Sequence, residues 1–274
     1  MPVQIDSARS VGSSIDDDSV SVCKLLRYGH LRIDMFCLRE KSLNTDDPLC
    51  TKIPKDCLFF PRDHRVARDW ALNGNYEYPI IDWAVSLIDP SKIFVDIGAH
   101  IGTYSLAFAK KCAGVQSFEC FPRTFNFLCA NIALQDLDNK IIPHRTALGN
   151  RTGVVTYTAY APLDGGGNTC LDLNSGSKYD KFTLPITTLD SFKLSNIGLI
   201  KIDVEGFEKD VLEGAVETLA RNGKPKLLFE SWRPERESDG FPARKLREDL
   251  FEYVRSIGYT IHPVSGWDEM YLAD

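Results

Sequence analysis

The chain has 274 residues, of which 43% are hydrophobic and 26% charged, with a formal net charge of −6. That apolar content is enough to bury a core without disulfide or metal staples. The negative balance leaves no broad cationic footprint for nucleic acid, and no apolar run approaches the roughly 18–20 residues that span a bilayer.

Residues 1–20 are polar, carry the run Asp16, Asp17, Asp18 and lack an apolar signal segment. They are expected to form a disordered acidic tail, with no secretory leader. Residues 21–76 mix short alternating stretches (Leu31, Ile33, Met35) with Pro48, Pro54 and Pro61, which suits a small β-rich N-terminal cap. Residues 77–274 then read as one larger domain. The eight cysteines form no C-x-x-C pair. They read as free thiols of a cytoplasmic protein, with Cys112, Cys120 and Cys129 inside helices or strands, rather than as a zinc site.

A helix is expected over 77–88, with Ile80, Trp83, Ala84, Leu87 and Ile88 on one face. Ile93-Phe94-Val95 is a strand that runs into Asp96-Ile97-Gly98, and a helix follows from Gly102 to Cys112. Val115–Phe118 is the next strand, and a helix carries Phe125, Leu128, Cys129 and Ile132. Lys140–Ile142 is a third strand. This alternation predicts βαβ units and a mostly parallel sheet with helices on both faces. The rhythm pauses over 149–188, where two antiparallel strands flank a Gly-rich loop expected to cover the acceptor (Asp164–Lys181). It resumes with a strand Ile197–Val204, a helix 207–220, a strand Leu227–Phe229, a helix with Leu246, Leu250, Val254 and Ile257, and two closing strands near 259–261 and 270–272.

The sharpest motif is Val95-Asp96-Ile97-Gly98-Ala99-His100-Ile101-Gly102, a strand end, a glycine turn and a helix start. Ligands of open α/β sheets bind at that edge. Glu119 ends the following strand, where a carboxylate can accept both ribose hydroxyls of a nucleoside. A dinucleotide wants G-x-G-x-x-G, with a second glycine that lets the pyrophosphate approach. Here His100 occupies that position, and the spacing D-x-G-x-x-x-G suits S-adenosylmethionine, which has no phosphate. Asp96 would help to orient its ammonium group. An NAD-dependent oxidoreductase and a non-catalytic binding module of the same fold remain as alternatives.

VDIGAHIGTYSL, Glu119 and LIKIDVEGFEKDVLEGA (199–215) together resemble the FkbM family of S-adenosylmethionine-dependent methyltransferases over roughly residues 76–232. The resemblance implies a class I methyltransferase fold, S-adenosylmethionine as donor, and methyl transfer to a hydroxyl, often on a sugar. It assigns donor binding to Asp96, Gly98, Ala99, His100, Gly102, Thr103 and Glu119. It adds Thr146 and Ala147 beside the adenine, and Glu77 in the string Gly74-Asn75-Tyr76-Glu77. The chain departs from many members in placing Cys120-Phe121 between Glu119 and Pro122.

A sugar hydroxyl is a poor nucleophile at neutral pH, and a positioned carboxylate can take its proton. Asp203 and Glu205 sit at the end of the Ile197–Val204 strand and, by alternation, point the same way. Their competing reading is a helix N-terminal cap. Glu230 ends the neighbouring strand at the same edge. These three are the expected catalytic residues. The acids read as scattered along the chain, so no metal site is expected. His100 and His144 read as a turn residue and a strand cap, and Trp232 and Trp267 as core anchors. The partner implied is a small-molecule or glycan acceptor.

Overall fold

The computed structural model describes residues 78–159, 168–171 and 179–274, and the backbone of four further strands before them. Those strands are β1 (Ile5–Asp6), β2 (Val20–Tyr28), β3 (Leu31–Leu38) and β4 (Leu58–Phe60). They form an antiparallel sheet in the order β1-β2-β3-β4. Ile5 and Asp6 lie in the stretch expected as a tail, yet pair with Leu26 and Leu25. Glu77 and most of Asp164–Lys181 fall outside the described residues.

The main body alternates as expected: α1 (Tyr78–Ser86), β5 (Ile93–Ile97), α2 (Thr103–Ala109), β6 (Gly114–Phe118), α3 (Pro122–Leu134) and β7 (Ile141–His144). Cys112 and Cys120 therefore lie just past element ends, and only Cys129 is inside a helix. After β8 (Ala147–Leu148), β9 (Gly153–Ala159) and β10 (Asp180–Thr187) come β11 (Ile197–Ile202), α4 (Glu208–Glu213), α5 (Val216–Arg221), β12 (Lys226–Glu230), α6 (Ala243–Ser256), β13 (Ile261–Pro263) and β14 (Met270–Ala273).

Seven strands build one sheet in the order β13-β14-β12-β11-β5-β6-β7. β12, β11, β5, β6 and β7 run parallel, and β14 is antiparallel to both neighbours. The central strands are apolar runs because both faces are covered. Phe94, Val115, Leu199 and Leu228 point into one core with α1, α2 and α3. Their neighbours Val95, Ile200, Leu227 and Phe229 point into the other, under α4, α5 and α6. β10 pairs antiparallel with β9 and parallel with β8 in a small second sheet. Two-residue β8 is too short to show any periodicity in sequence.

The single helix expected over 207–220 is instead two. A side chain at Gly214 would collide with the Gly149 carbonyl, and the chain breaks there so that the two backbones can meet. Asp190 then receives the Glu217 and Thr218 N–H groups at 3.1 and 2.7 Å, closing the new helix start. No helix among the described residues is long and apolar enough to cross a membrane.

Candidate functional site

β5 stops at Ile97 because the next residues turn in left-handed conformations: Gly98 at φ 76°, His100 at 55° and Gly102 at 99°. The turn is stitched to both neighbouring strands. Gly98 and Ala99 donate to the Phe118 carbonyl at 3.0 and 2.9 Å, and Asp203 donates to the Ile97 carbonyl at 3.0 Å. A Cβ at Gly98 would strike the Asp203 carbonyl, and one at Gly102 would come within 2.8 Å of Leu128. Gly98 thus serves close backbone approach, and Gly102 a left-handed turn packed against the Leu128 side chain. An added Cβ at either would point into protein and would strain a left-handed backbone.

Glu119 caps this turn from β6. Its Oε2 accepts the His100 N–H at 3.0 Å and its Oε1 the Phe121 N–H at 2.8 Å. The carboxyl lines the cleft yet is 8% exposed. Burial, opposed by those two bonds, pushes its pKa up to about 7. Each carboxylate oxygen keeps a further lone pair for a hydroxyl donor.

Asp96 lies below the cleft instead of lining it. It is fully buried, and Ser105 donates to its Oδ2 at 2.5 Å while sharing a 2.7 Å bond with Ser117. Burial raises its pKa, opposed by Lys201 and Ser105. Lys201 is the residue that sequence reasoning missed here. Its buried Nζ donates to the Gly98 carbonyl at 2.9 Å and lies 3.7 Å from Asp96 and 3.3 Å from Asp203. It ties the glycine turn to the acidic rim. A lysine inside the apolar run Leu-Ile-Lys-Ile is the signal that could have revealed it, because a buried ammonium needs partners.

The rim differs from the strand-alternation argument. β11 ends at Ile202, and residues 203–206 form a turn with Glu205 at φ 56° and Gly206 at φ 94°. That turn, not pleating, brings the carboxylates together. Oxygens of Asp203, Glu205 and Glu230 lie within 4.8 Å of one another, so the three acids are clustered and not scattered. The cap role also falls elsewhere. Glu208, unnoticed in sequence, accepts the Val204 and Gly206 N–H groups at 3.1 Å each. Burial pushes Glu208 up to about 8. Each rim acid faces a cation: Lys201 at Asp203, and Arg236 at 3.8 Å from both Glu205 and Glu230. Arg236 is itself held by a fork onto Glu269 at 2.9 and 2.7 Å. The Trp232 indole N–H donates to Glu205 at 3.1 Å. Burial, and then the charges of Glu205 and Asp203, drive the Glu230 carboxyl well above the usual range. Its Oε2 is buried with no hydrogen-bond partner among the described residues.

The cleft that unites these groups is open to solvent, with about 950 Å³ of space including its mouth. Gly98, Ala99, His100, Thr103, Glu119, Thr146, Ala147, Asp203 and Glu205 line it. Asp96, Gly102 and Glu230 are beneath or beside it. His144 stacks on Phe118 at 4.5 Å and bonds Gln116 at 2.7 Å, away from the cleft. From the Gly-rich segment, Asn168 and Cys170 line the wall near Glu119 and Tyr157, held by reciprocal Thr158–Thr169 backbone bonds of 2.8 and 3.2 Å. The Cys170 partner and burial push the Cys120 thiol well up.

The sheet order, with its antiparallel β14 and a glycine turn answered by Glu119 at the parallel edge, is that of a class I methyltransferase. Residues 96–261 match the model of the Methyltransferase FkbM domain, and the chain belongs to that family. A hexuronic acid methyltransferase, AglP, of Haloferax volcanii is 27% identical over 143 residues, covering 52% of this chain and 58% of that protein. The methyltransferase sdnD of Sordaria araneosa is 28% identical, covering 53% of this chain and 68% of its own length. The chain therefore spans little more than half of the first of these relatives. Among solved structures, a methyltransferase FkbM from Methylobacillus flagellatus aligns at TM-score 0.45 and 19% identity, covering 76% of this chain and 52% of that one.

Proposed function

We propose that the protein transfers the methyl group of S-adenosylmethionine to a hydroxyl oxygen of a sugar or glycan acceptor. The observation that carries this reading is the convergence of Asp203, Glu205 and Glu230 beside a glycine turn whose amides and whose Glu119 suit a nucleoside. The donor set fits the cofactor: Glu119 has lone pairs for two ribose hydroxyls, and no second turn glycine is present for a pyrophosphate. When bound, S-adenosylmethionine supplies an electrophilic methyl, and the protein supplies position and electrostatics.

The chain's own residues then do three things. Lys201 and the Phe118 carbonyl hold the turn in the shape that binds. Thr146 and Ala147 wall the side of the cleft beyond Glu119. Glu230 receives the acceptor's proton. Its raised affinity for a proton, imposed by burial and two neighbouring carboxylates, makes it a better base than an exposed carboxylate. Asp203 and Glu205 hold the acceptor's other hydroxyls. Lys201 and Arg236 meet the charge of the rim, and the reading assigns no metal to it. The name of the AglP relative supports a sugar acceptor.

Turnover with a panel of sugar nucleotides, glycosides and phenols, read by mass spectrometry, tests the acceptor class. Methylation of phenols alone would refute it. Glu230→Gln should lower kcat by about 10²–10⁴-fold while S-adenosylhomocysteine affinity stays at the wild-type level. An unchanged kcat removes Glu230 as the base.

A further inference from the structure

Outside the cleft, one face of α6 gathers positive charge that the chemistry above does not use. Arg244, Arg247, Phe251 and Arg255 follow one another at helical spacings of three and four residues and so form a single stripe. With Pro234 and Glu248 they line an open groove of about 640 Å³. The guanidiniums of Arg247 and Arg255 lie 5.1 and 5.6 Å from the centre of the Phe251 ring.

Arg247 is preset. It donates to the Trp232 carbonyl at 3.4 Å and to the Tyr271 hydroxyl, and its guanidinium lies 4.9 Å from the centre of the Tyr271 ring. Neither Arg247 nor Arg255 has a carboxylate at ion-pair distance among the described residues. Among the described residues, Arg244 meets only the exposed Glu237, at 3.7 Å. Arg247 and Arg255 thus leave two positive charges unmatched at ion-pair distance on a groove whose lining includes one carboxylate, Glu248, in a chain whose net charge is −6. Like charges gathered this way repel unless an anion sits between them.

We propose that this groove binds a phosphate or diphosphate group. Guanidinium forks match phosphate oxygens in geometry, and two unmatched charges suit a dianion better than a single carboxylate. Trp232 links groove and rim, since its carbonyl meets Arg247 and its indole N–H meets Glu205. Resting on the methyl-transfer reading, the group bound is the charged end of the acceptor whose sugar lies at the rim.

Calorimetric titration of the full chain with inorganic pyrophosphate, UDP-glucose and glucuronate tests the site. Wild type should bind pyrophosphate at submillimolar concentration and glucuronate at least tenfold more weakly. The double variant R244A/R255A should lose tenfold or more of the pyrophosphate affinity while keeping its thermal midpoint. UDP-glucose binding that falls in parallel supports the site and identifies a sugar nucleotide; pyrophosphate binding alone supports it and identifies a terminal phosphate. Wild type failing to bind pyrophosphate, glucuronate binding equally well, or a double variant that binds as wild type would each overturn the proposal. Failure of the donor reading shows separately, as absent S-adenosylhomocysteine binding with the groove intact.

Discussion

Lys201 shows how one side chain ties the glycine turn to the acidic rim. Its Nζ is 2.9 Å from the Gly98 carbonyl and within 3.7 Å of two carboxylates, one of them fully buried. Removing one partner of a buried pair leaves an uncompensated charge and costs about 3–5 kcal/mol. Lys201→Met should therefore lower stability by about that amount in urea denaturation and weaken donor binding as well. A loss below about 0.5 kcal/mol would show that the lysine pins nothing. Glu119, Gly98, Asp203 and Glu205 were legible in the chain because strand-end acids and turn glycines are local signals. Lys201, Arg236 and Asn168 were not. Each reaches the site through contacts between elements far apart in sequence, and although the apolar run around Lys201 marks it as buried, nothing beside any of the three identifies its partners.

At the level of elements, alternation of strand and helix was readable wherever apolar runs were uninterrupted, as in β5, β6, β11 and β12. It failed where a long-range contact overruled local preference. Strand alternation alone would carry the pleat through Glu205, but β11 ends at Ile202 and a left-handed turn follows at Glu205 and Gly206. One helix was expected where the approach of Gly214 to the Gly149 carbonyl divides it in two. Gly214→Ala should thus destabilise the protein by about 1–3 kcal/mol, the usual cost of overpacking, although alanine is the better helix former. A variant as stable as wild type, or more so, would place the helix break elsewhere.

Across the whole molecule, burial of carboxyls makes stability depend on pH in an unusual direction. Glu119 and Glu208 titrate near 7 and 8 in the folded chain and near 4.5 once unfolded. Between those values the native state binds more protons than the unfolded state, so stability falls as pH rises. The contribution is complete below about 4.5 and lost through about 8. The thermal midpoint should drop from pH 6 to pH 8.5, and Glu208→Gln should flatten that slope because the amide oxygen still accepts the Val204 and Gly206 N–H groups. A midpoint that rises over this window would contradict the assignment.

We place a nucleoside donor without a pyrophosphate, by proposal, between the glycine turn and Glu119. Calorimetric titration of S-adenosylhomocysteine and NADH into wild type and Glu119→Ala tests it most directly. S-adenosylhomocysteine should bind at micromolar concentration and more tightly as pH rises through 7, when the Glu119 carboxyl ionises and can accept both ribose hydroxyls. Glu119→Ala should weaken it roughly tenfold to a hundredfold, the worth of a charge-assisted hydrogen bond, with little NADH binding to either protein. Micromolar NADH binding with no S-adenosylhomocysteine binding, or wild-type affinity in Glu119→Ala, would contradict it.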